Sequence, residues 1–318
     1  MWDSQWLNFS STVPRELVHR AAVSEVFLTD VVRTGDDEFR VATQWPRWHV
    51  FYNVQGNALD SALLVETMRQ ATVLIAHSDY KVPLNHRFLM PMMSLEKVAV
   101  RSPDPSRPLE MTLQITVSST RNSAKHPSKL HARGTFMADG QVVATAEAGA
   151  RVMSPTAYSR LRRTTPAGAP ALSEPVSAEE VGAVTPFNVV LGKPSLKDCW
   201  PVRVDQSHPI LFDHPLDHVP GVLLIEAARQ AARLAAGCPA LDVSRLRARF
   251  DKLVEFSDEL RATVTTLSDR GNGDVEVVVS MNVGHCVKGE FELLLSRVTD
   301  SRPRSVHSFV SSPSRAAH

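Results

Sequence analysis

The chain has 318 residues, enough for two domains that each bury a core of their own. Its 35 basic and 34 acidic side chains give a formal charge of +1, which removes the electrostatic reason to expect nucleic acid or a membrane surface as a partner. The cysteines, Cys199, Cys238 and Cys286, are widely spaced without a CxxC pair, which argues against a disulfide framework and a zinc site. With no leader pattern after Met1 and no apolar run of ~18 residues, we expect a cytoplasmic protein without metal or cofactor.

The first half of the chain, residues 1–153, predicts one α+β module. Its first two strands turn at Gly35-Asp36, and Asp139-Gly140 is a hairpin signal between its last two. The predicted strands are residues 21–32, 38–44, 86–100, 109–118, 129–138 and 141–153, and the predicted helix is residues 61–78.

The second half, residues 183–299, predicts the same order of elements again. Residues 154–182 are rich in Pro, Ser, Thr and Arg without a helix or strand period, which is typical of a linker. Residues 300–318 are Ser-, Pro- and Arg-rich and predict a disordered tail. The predicted strands are residues 185–192, 201–204, 245–256, 259–267, 275–283 and 287–298, and the predicted helix is residues 220–236.

A segment of the first predicted helix is repeated in the second. Residues 62–71 align without a gap on residues 222–231, so that Glu66, Arg69 and Gln70 each return 160 positions later. Apolar residues cover nearly all faces of these helices, which indicates a helix enclosed by other structure. One apolar helix enclosed by a curved antiparallel sheet is the hot dog arrangement. Two in tandem predict a double hot dog packed as an internal pseudo-dimer, in which the chain carries its own partner and can remain a monomer.

The repeated triplet is polar on an otherwise apolar helix. Glu226, Arg229 and Gln230 lie three and four positions apart, so they project on one side. Burying a charge is unfavourable unless the charge is paired or used. One interpretation is a structural ion pair that holds the modules together, and the other is a functional site. Recurrence of the triplet favours the second, although duplication would also copy a structural pair.

A loop with two histidines precedes the second helix, within residues 208–221. Pro220-Gly221 suits a helix entrance, and the amides near Gly221 can stabilise an oxyanion. His214 and His218 titrate near neutrality when unperturbed and can transfer protons, whereas a lone His is more often a surface or core residue.

The first module lacks this loop chemistry. Residues 52–60 keep an acid and a Gly but have neither the His pair nor the Pro-Gly entrance, and His49 corresponds to His208 with a slip of one residue. Two equivalent sites are therefore not expected.

The loop and helix of the second module resemble the hot dog hydroxyacyl-carrier-protein dehydratases. In those enzymes a His precedes Pro-Gly-Val-Leu and a helical acid follows, as His214, residues 220–223 and Glu226 do here. There the His of one subunit works with the acid on its partner's helix. The resemblance implies that His214 faces Glu66 across the pseudo-dimer, in one composite site.

A more specific resemblance runs from about residue 18 to about residue 298. It is to the A-factor biosynthesis family of γ-butyrolactone signal synthases, and Arg229 stands where the dehydratases usually carry a small residue. An Arg there suits a phosphorylated co-substrate. The first half departs from the family, which usually has an acidic-Pro turn before this helix, at residues 57–61. The segments that carry the resemblance are residues 66–71, 76–90, 213–221 and 226–231.

Resemblance to this family implies transfer of a β-ketoacyl group from an acyl carrier protein thioester to a hydroxyl of dihydroxyacetone phosphate. Ring closure can then give a butenolide phosphate, the precursor of a butyrolactone, butenolide or furan signal. Glu226 would be the general base, Arg229 the phosphate or carbonyl ligand, and Glu66 the matching acid, with His214 assisting proton transfer. The substrate-binding candidates are Arg69, Gly221, Asp217, His218, His86, Gln230 and Gln70, and the phosphate candidates are Arg69, His86, Arg87 and Arg229.

Two other functions remain open on the sequence. The His214 loop and a helical acid also suit a dehydratase or thioesterase that acts on acyl thioesters. A double hot dog without catalysis could instead bind an acyl ligand or a regulator. In each case we expect the site at the seam between the modules.

Overall fold

The computed structural model describes residues 7–52, 59–98, 104, 106–120, 126–162, 168–271 and 273–297. Within these ranges the chain forms one antiparallel sheet of 11 strands, against which two long helices pack. This architecture agrees with the predicted α+β double hot dog. The predicted tail, residues 300–318, lies outside the described residues.

The first module holds six of the strands and one long helix. Asp139 and Gly140, both at positive φ, form the predicted tight turn between the last two strands. The elements are β1 (Leu28–Gly35), β2 (Glu38–Trp45), α1 (Ser61–Ser78), β3 (Arg87–Lys97), β4 (Leu109–Thr120), β5 (Lys129–Ala138) and β6 (Gln141–Met153).

The second module has one short strand, instead of two, before its long helix and then four strands as in the first module. Its elements, with two short helices before it, are α2 (Pro155–Leu161), α3 (Ala178–Val181), β7 (Cys199–Pro201), α4 (Gly221–Ala236), β8 (Leu241–Phe250), β9 (Leu260–Asp269), β10 (Val275–Val283) and β11 (Cys286–Arg297).

The segment predicted as a linker without helices contains α2 and α3, so that prediction was wrong for these residues. Helix α2 is capped by Ser154, whose Oγ accepts a hydrogen bond from the amide of Ala157, and has Pro155 in its first turn. Helix α3 begins at a capping box of Ser177 and Glu180. Both helices are set by their end signals and are too short to show a period.

Two predicted strands include segments that form 3-10 turns in the structure. Residues 21–27 precede β1 and include a 3-10 turn at Val23–Glu25, so the strand starts later than predicted. Residues 185–192 form a 3-10 turn at Pro186–Asn188 followed by isolated bridges rather than a strand. Both segments are held by side chains from the long helices, a tertiary contact that local periodicity does not reveal.

The two modules join edge to edge through β3 and β8. The sheet order is β1-β2-β4-β5-β6-β3-β8-β11-β10-β9-β7, and the β3–β8 register runs from Met92 opposite Arg249 to Glu96 opposite Arg245. Helices α1 and α4 contact each other across this seam. Asp60, the residue before α1, reaches Arg229 of α4 across this seam.

Helix α1 is almost entirely buried, as its apolar faces predict. Every residue from Ser61 to His77 is buried except Arg69, whose side chain is 23% exposed. Within the described part of the chain, no helix is both long and apolar enough to span a membrane. Arg69 is thus the residue of this stretch whose side chain is partly exposed to solvent.

Candidate functional site

Glu66 on α1 is the centre of a buried ionic cluster. Its Oε1 lies 2.6 Å from a guanidinium nitrogen of Arg20, 2.8 Å from one of Arg69 and 2.7 Å from the amide nitrogen of Gln70. Its Oε2 accepts a second bond from Arg69, at 2.8 Å. Burial alone would raise the pKa of Glu66, but Arg20 and Arg69 lower it to about 2. The carboxylate is therefore ionised and saturated with donors.

The two glutamines of the repeated triplets hold the helices to the segments before them. Gln70 donates to the carbonyl of Glu25 and accepts from the amide of Phe27, and Gln230 does the same with Asn188 and Val190. Both side chains are fully buried. These contacts describe a positioning role, and substrate binding by Gln70 and Gln230 stays a prediction.

Arg20 and Asp213 join the two modules beside Glu66. Asp213 accepts hydrogen bonds from the amides of Ala21 and Ala22, at 2.6 and 3.0 Å, and lies 4.0 Å from Arg20. The pKa of Asp213 is lowered because contacts with His214 and these amides outweigh burial. A carboxylate of the second module thus orders the strip of the first module that carries Arg20.

His214 lies at this seam, with its side chain 34% exposed. Its Nδ1 lies 3.5 Å from Asp213 Oδ2, which is an electrostatic contact longer than an ordinary hydrogen bond. His214 also acts electrostatically on His19, as does Arg69. The structure therefore brings His214 and the Glu66–Arg69 pair of the other module to one region.

Two histidines that were not predicted as site residues complete this region. His19 Nε2 lies 2.9 Å from His77 Nε2, and both rings pack against Phe88. Burial, with help from Arg69, lowers the pKa of His19 to about 3, and burial also lowers that of His77. His77 lies 11 positions after Glu66 on α1, so helical periodicity could have predicted that the two side chains share one face of the helix. No local signal in the sequence indicates His19.

The second triplet is closed by an acid from the first module. Arg229 lies 2.7 Å from Glu226 Oε2 and 3.0 Å from Asp60 Oδ2, and its side chain is only 5% exposed. Its pKa is raised, because Asp60 and Glu226 outweigh burial. Glu226 Oε1 is also bonded to Gln230 at 2.8 Å. The roles of Glu226 as base and Arg229 as phosphate ligand stay predictions, and this closed arrangement does not favour them.

The N-termini of the two long helices differ in whether a side chain caps them. Asp60 Oδ1 accepts from the amides of Ala62 and Leu63, so α1 is capped. The residue 160 positions later is Pro220, which has no side-chain acceptor, and α4 begins without such a cap. The first turn of α4 therefore offers amide donors and the positive end of its dipole.

Gly221 at the start of α4 packs closely on its own module. A Cβ added there would meet the ring of Phe250 at 3.3 Å. Close packing with Phe250 is thus one reason for glycine here, beside the predicted approach of a ligand. Oxyanion binding by the Gly221 amides stays a prediction.

Helix α2 of the predicted linker clamps the second half of the histidine loop. The Tyr158 hydroxyl donates to Asp217 Oδ1 at 2.8 Å, and His218 Nδ1 lies 2.7 Å from the same oxygen. Arg162 pairs with Glu255 and donates to the carbonyl of Asp217. Asp217 and His218, predicted as substrate-binding residues, are therefore held in place by a segment that was predicted as a linker.

His86 and Arg87 stand at the start of β3, near the same region. His86 is buried beside His126, with ring centroids 4.7 Å apart, and burial lowers its pKa. Arg87 is exposed and lies 5.8 Å over the ring of Tyr158. In the described ranges, no group of three or more His, Cys, Asp or Glu side chains could hold a metal ion.

Comparison with known proteins agrees with this architecture. The sequence matches the A-factor biosynthesis hotdog domain over residues 3–154 and 164–249. It is 36% identical over 279 residues to a 2-oxo-3-(phosphooxy)propyl 3-oxoalkanoate synthase of Streptomyces virginiae, covering 85% of this chain and 93% of that protein. A synthase of the same name from Streptomyces coelicolor is 35% identical over 261 residues, which are 79% of this chain and 82% of that protein.

A similar fold occurs among solved structures. The crystal structure described as an oleoyl thioesterase from Lactobacillus plantarum superposes with a TM-score of 0.50 at 13% identity, covering 82% of this chain and 96% of that one. At this identity the likeness concerns the fold alone, and it confirms the predicted hot dog architecture. By its domain match and its Streptomyces relatives, the chain belongs to the A-factor biosynthesis hotdog family.

Proposed function

We propose that the protein transfers a 3-oxoacyl (β-ketoacyl) group from a thioester to the free hydroxyl of dihydroxyacetone phosphate. The name of its relatives, 2-oxo-3-(phosphooxy)propyl 3-oxoalkanoate synthase, describes the ester of a 3-oxoalkanoic acid with that hydroxyl. The protein is accordingly an enzyme, an acyltransferase. Its product is the precursor of a butenolide phosphate and, further on, of a butyrolactone, butenolide or furan signal.

The different surroundings of Arg69 and Arg229 support our placement of the phosphate site. Arg229 is buried between two carboxylates, whereas Arg69 shares one carboxylate with Arg20 and is 23% exposed. Asp60, which neutralises Arg229, is replaced by Pro220 at the corresponding position of the other copy. Arg69 is therefore the more exposed of the two guanidinium groups, and we assign the phosphate to that side of the seam.

Glu66 holds the arginines and is not the base of the reaction. Both of its oxygens already accept from Arg20, Arg69 or Gln70, so neither is open to the proton of a substrate hydroxyl. As a bidentate partner it fixes the guanidinium plane of Arg69, which then presents its remaining donors to a phosphate. Glu66 thus acts through Arg69.

The acyl transfer needs a stabilised oxyanion as well as a phosphate site. The hydroxyl oxygen attacks the thioester carbonyl carbon, the C–S bond breaks, and the proton of the hydroxyl ends on the departing sulfur. We assign the uncapped amides at the start of α4 as donors to the developing oxyanion. His214, beside Asp213, assists the proton transfer.

The thioester donor is proposed to be an acyl carrier protein. We expect kcat/KM to be higher for a purified carrier loaded with a 3-oxoacyl group than for the same acyl group on a short thiol. Equal kcat/KM for the two donors would contradict the carrier protein as donor but not the acyl transfer itself.

The reaction itself is tested by thiol release from a 3-oxoacyl thioester. Release that requires dihydroxyacetone phosphate supports acyl transfer, and unphosphorylated dihydroxyacetone is the matched control for the phosphate. Release without either alcohol would indicate a thioesterase. No release under any condition would contradict both enzyme assignments and favour a binding protein.

A further inference from the structure

His19 has a backbone conformation that is unfavourable for a residue with a side chain. Its φ of 53° and ψ of 58° lie in the left-handed region, where glycine is unstrained. The residues on both sides are fixed to α1, because the Val18 carbonyl accepts from Arg69 and Arg20 is bound to Glu66. Strain of this kind at a side chain beside a candidate site is a reason to ask what the side chain does.

The contacts of His77 fix the proton positions in the His19 ring. His77 Nδ1 lies 2.7 Å from the carbonyl oxygen of Val82, which can only accept, so Nδ1 carries the hydrogen. In the neutral ring, His77 Nε2 then has the lone pair and accepts from His19 Nε2 at 2.9 Å. His19 therefore keeps its hydrogen on Nε2 and a lone pair on Nδ1, the form required of a base.

The groups around His19 are those expected around a phosphorylated alcohol. Arg69 and His77 of α1, His214 of the second module and Arg87 of β3 all act electrostatically on it. Burial and these positive groups keep the ring neutral without a ligand. A phosphate dianion beside Arg69 would offset the positive charge and make protonation of His19 easier.

We propose that His19 is the general base of the acyl transfer and that His77 is the positioning residue that fixes its tautomer. This inference rests on the proposed function. His19 Nδ1 takes the proton of the alcohol as its oxygen forms a bond to the thioester carbon. The C–S bond then breaks, and the imidazolium returns the same proton to the thiolate. His214, the histidine that the sequence motif indicates, assists from the other module.

Replacement by glycine separates catalysis from structure at this position. In His19→Gly the backbone strain is relieved, so the thermal midpoint should stay within a few degrees of wild type, while kcat should fall by about 100- to 10,000-fold. Added imidazole should restore part of kcat. Asp139→Gly, which relieves a similar backbone at φ 47° in a remote turn, is the control and should keep wild-type kcat.

His77 is tested by two variants that differ in hydrogen bonding. His77→Gln keeps an acceptor for His19, and His77→Leu does not. We expect kcat to fall more in the leucine variant, with KM for dihydroxyacetone phosphate nearly unchanged and the acidic limb of the kcat–pH profile displaced. Equal kcat and equal pH profiles in the two would show that His77 does not position the base.

A binding measurement separates this inference from the reaction. Labelled histidine nitrogens should show the pKa of His19 rising when inorganic phosphate or dihydroxyacetone phosphate is added. If wild type transfers no acyl group, the proposed function fails. The role of His19 is wrong if wild type is active but His19→Gly keeps kcat within about threefold of it. The role is also wrong if imidazole restores none of the lost kcat and the pKa of His19 does not change when phosphate is added.

Discussion

At the scale of single residues, the two arginines of the repeated triplets should respond differently to removal. Arg69→Ala should raise KM for dihydroxyacetone phosphate by about 10- to 100-fold, because a charge-assisted phosphate contact contributes roughly 1.5–3 kcal/mol. The protein should remain folded, since Arg20 still neutralises Glu66. Steady-state kinetics with each substrate varied in turn would measure the effect.

The matched variant is Arg229→Ala. It leaves Asp60 and Glu226 buried without their cation, so unfolding in urea should show a loss of about 3–5 kcal/mol. A stable Arg229→Ala protein with a raised KM for dihydroxyacetone phosphate would contradict the phosphate site at Arg69. It would indicate that Arg229 of the second module binds the phosphate.

Residue identity alone could not make this distinction. Glu66-Arg69 and Glu226-Arg229 are identical in type and spacing, and the sequence predicts both as members of a site. What separates them are distant partners, Arg20 for Glu66 and Asp60 for Arg229. Such pairing over long sequence separations has no local signal, and for the same reason His19 could not be found.

At the scale of elements, helix α2 should govern the loop that carries the histidines. Tyr158→Phe removes the hydroxyl that binds Asp217 and leaves the packing of the ring unchanged. The loss of stability should be small, about 1 kcal/mol, because Asp217 is half-exposed. We expect kcat/KM to fall several-fold through looser placement of His214 and His218.

Thermal unfolding together with kinetics checks this expectation. Tyr80→Phe serves as control, since its hydroxyl makes a comparable bond to Asp37 in the first module. A fall in kcat/KM of equal size in both variants would mean that α2 has no special role.

Elements with their own periodicity or turn signals could be predicted, and those shaped by contacts could not. The sequence predicted α1 with both of its ends, as well as β5, β6 and β10, because apolar patterning and the Asp139-Gly140 turn define them locally. It missed α2, which depends on a Ser-Pro start and on docking to Asp217. The sequence also predicted strands in two segments that are held instead by hydrogen bonds to Gln70 and Gln230.

At the scale of the whole molecule, the buried histidines should make stability depend on pH. Burial lowers the pKa of His208 from 6.5 to about 4 and that of His19 from 6.5 to about 3. Below pH 6.5 the unfolded chain therefore binds protons that the folded chain does not. Stability should be constant above that pH and fall as the pH drops towards 4, by about 3 kcal/mol for His208 alone.

Urea unfolding at a series of pH values measures this slope. His208→Asn should flatten it, because its carboxamide oxygen can still accept from the amides of Ile210 and Leu211 without a proton to bind. His285→Asn, on an exposed turn, should leave the slope unchanged. A wild-type curve that is flat between pH 6.5 and 4 would show that His208 gains its proton as easily folded as unfolded.

The fused arrangement should yield one phosphate-binding site for each chain, although the triplet occurs twice. In a homodimer of identical modules both seams would be equal, but here Asp60 pairs with Arg229, whereas Pro220, at the position equivalent to Asp60, offers Arg69 no carboxylate. Isothermal titration with dihydroxyacetone phosphate should give one equivalent per chain. Arg69→Ala should weaken this binding by about 10- to 100-fold, whereas Asp60→Asn, which keeps the helix cap, should retain it because Arg229 stays buried. Two equivalents in the wild type, with one lost in each of the arginine variants, would mean that both copies of the triplet kept a working site after the modules were joined.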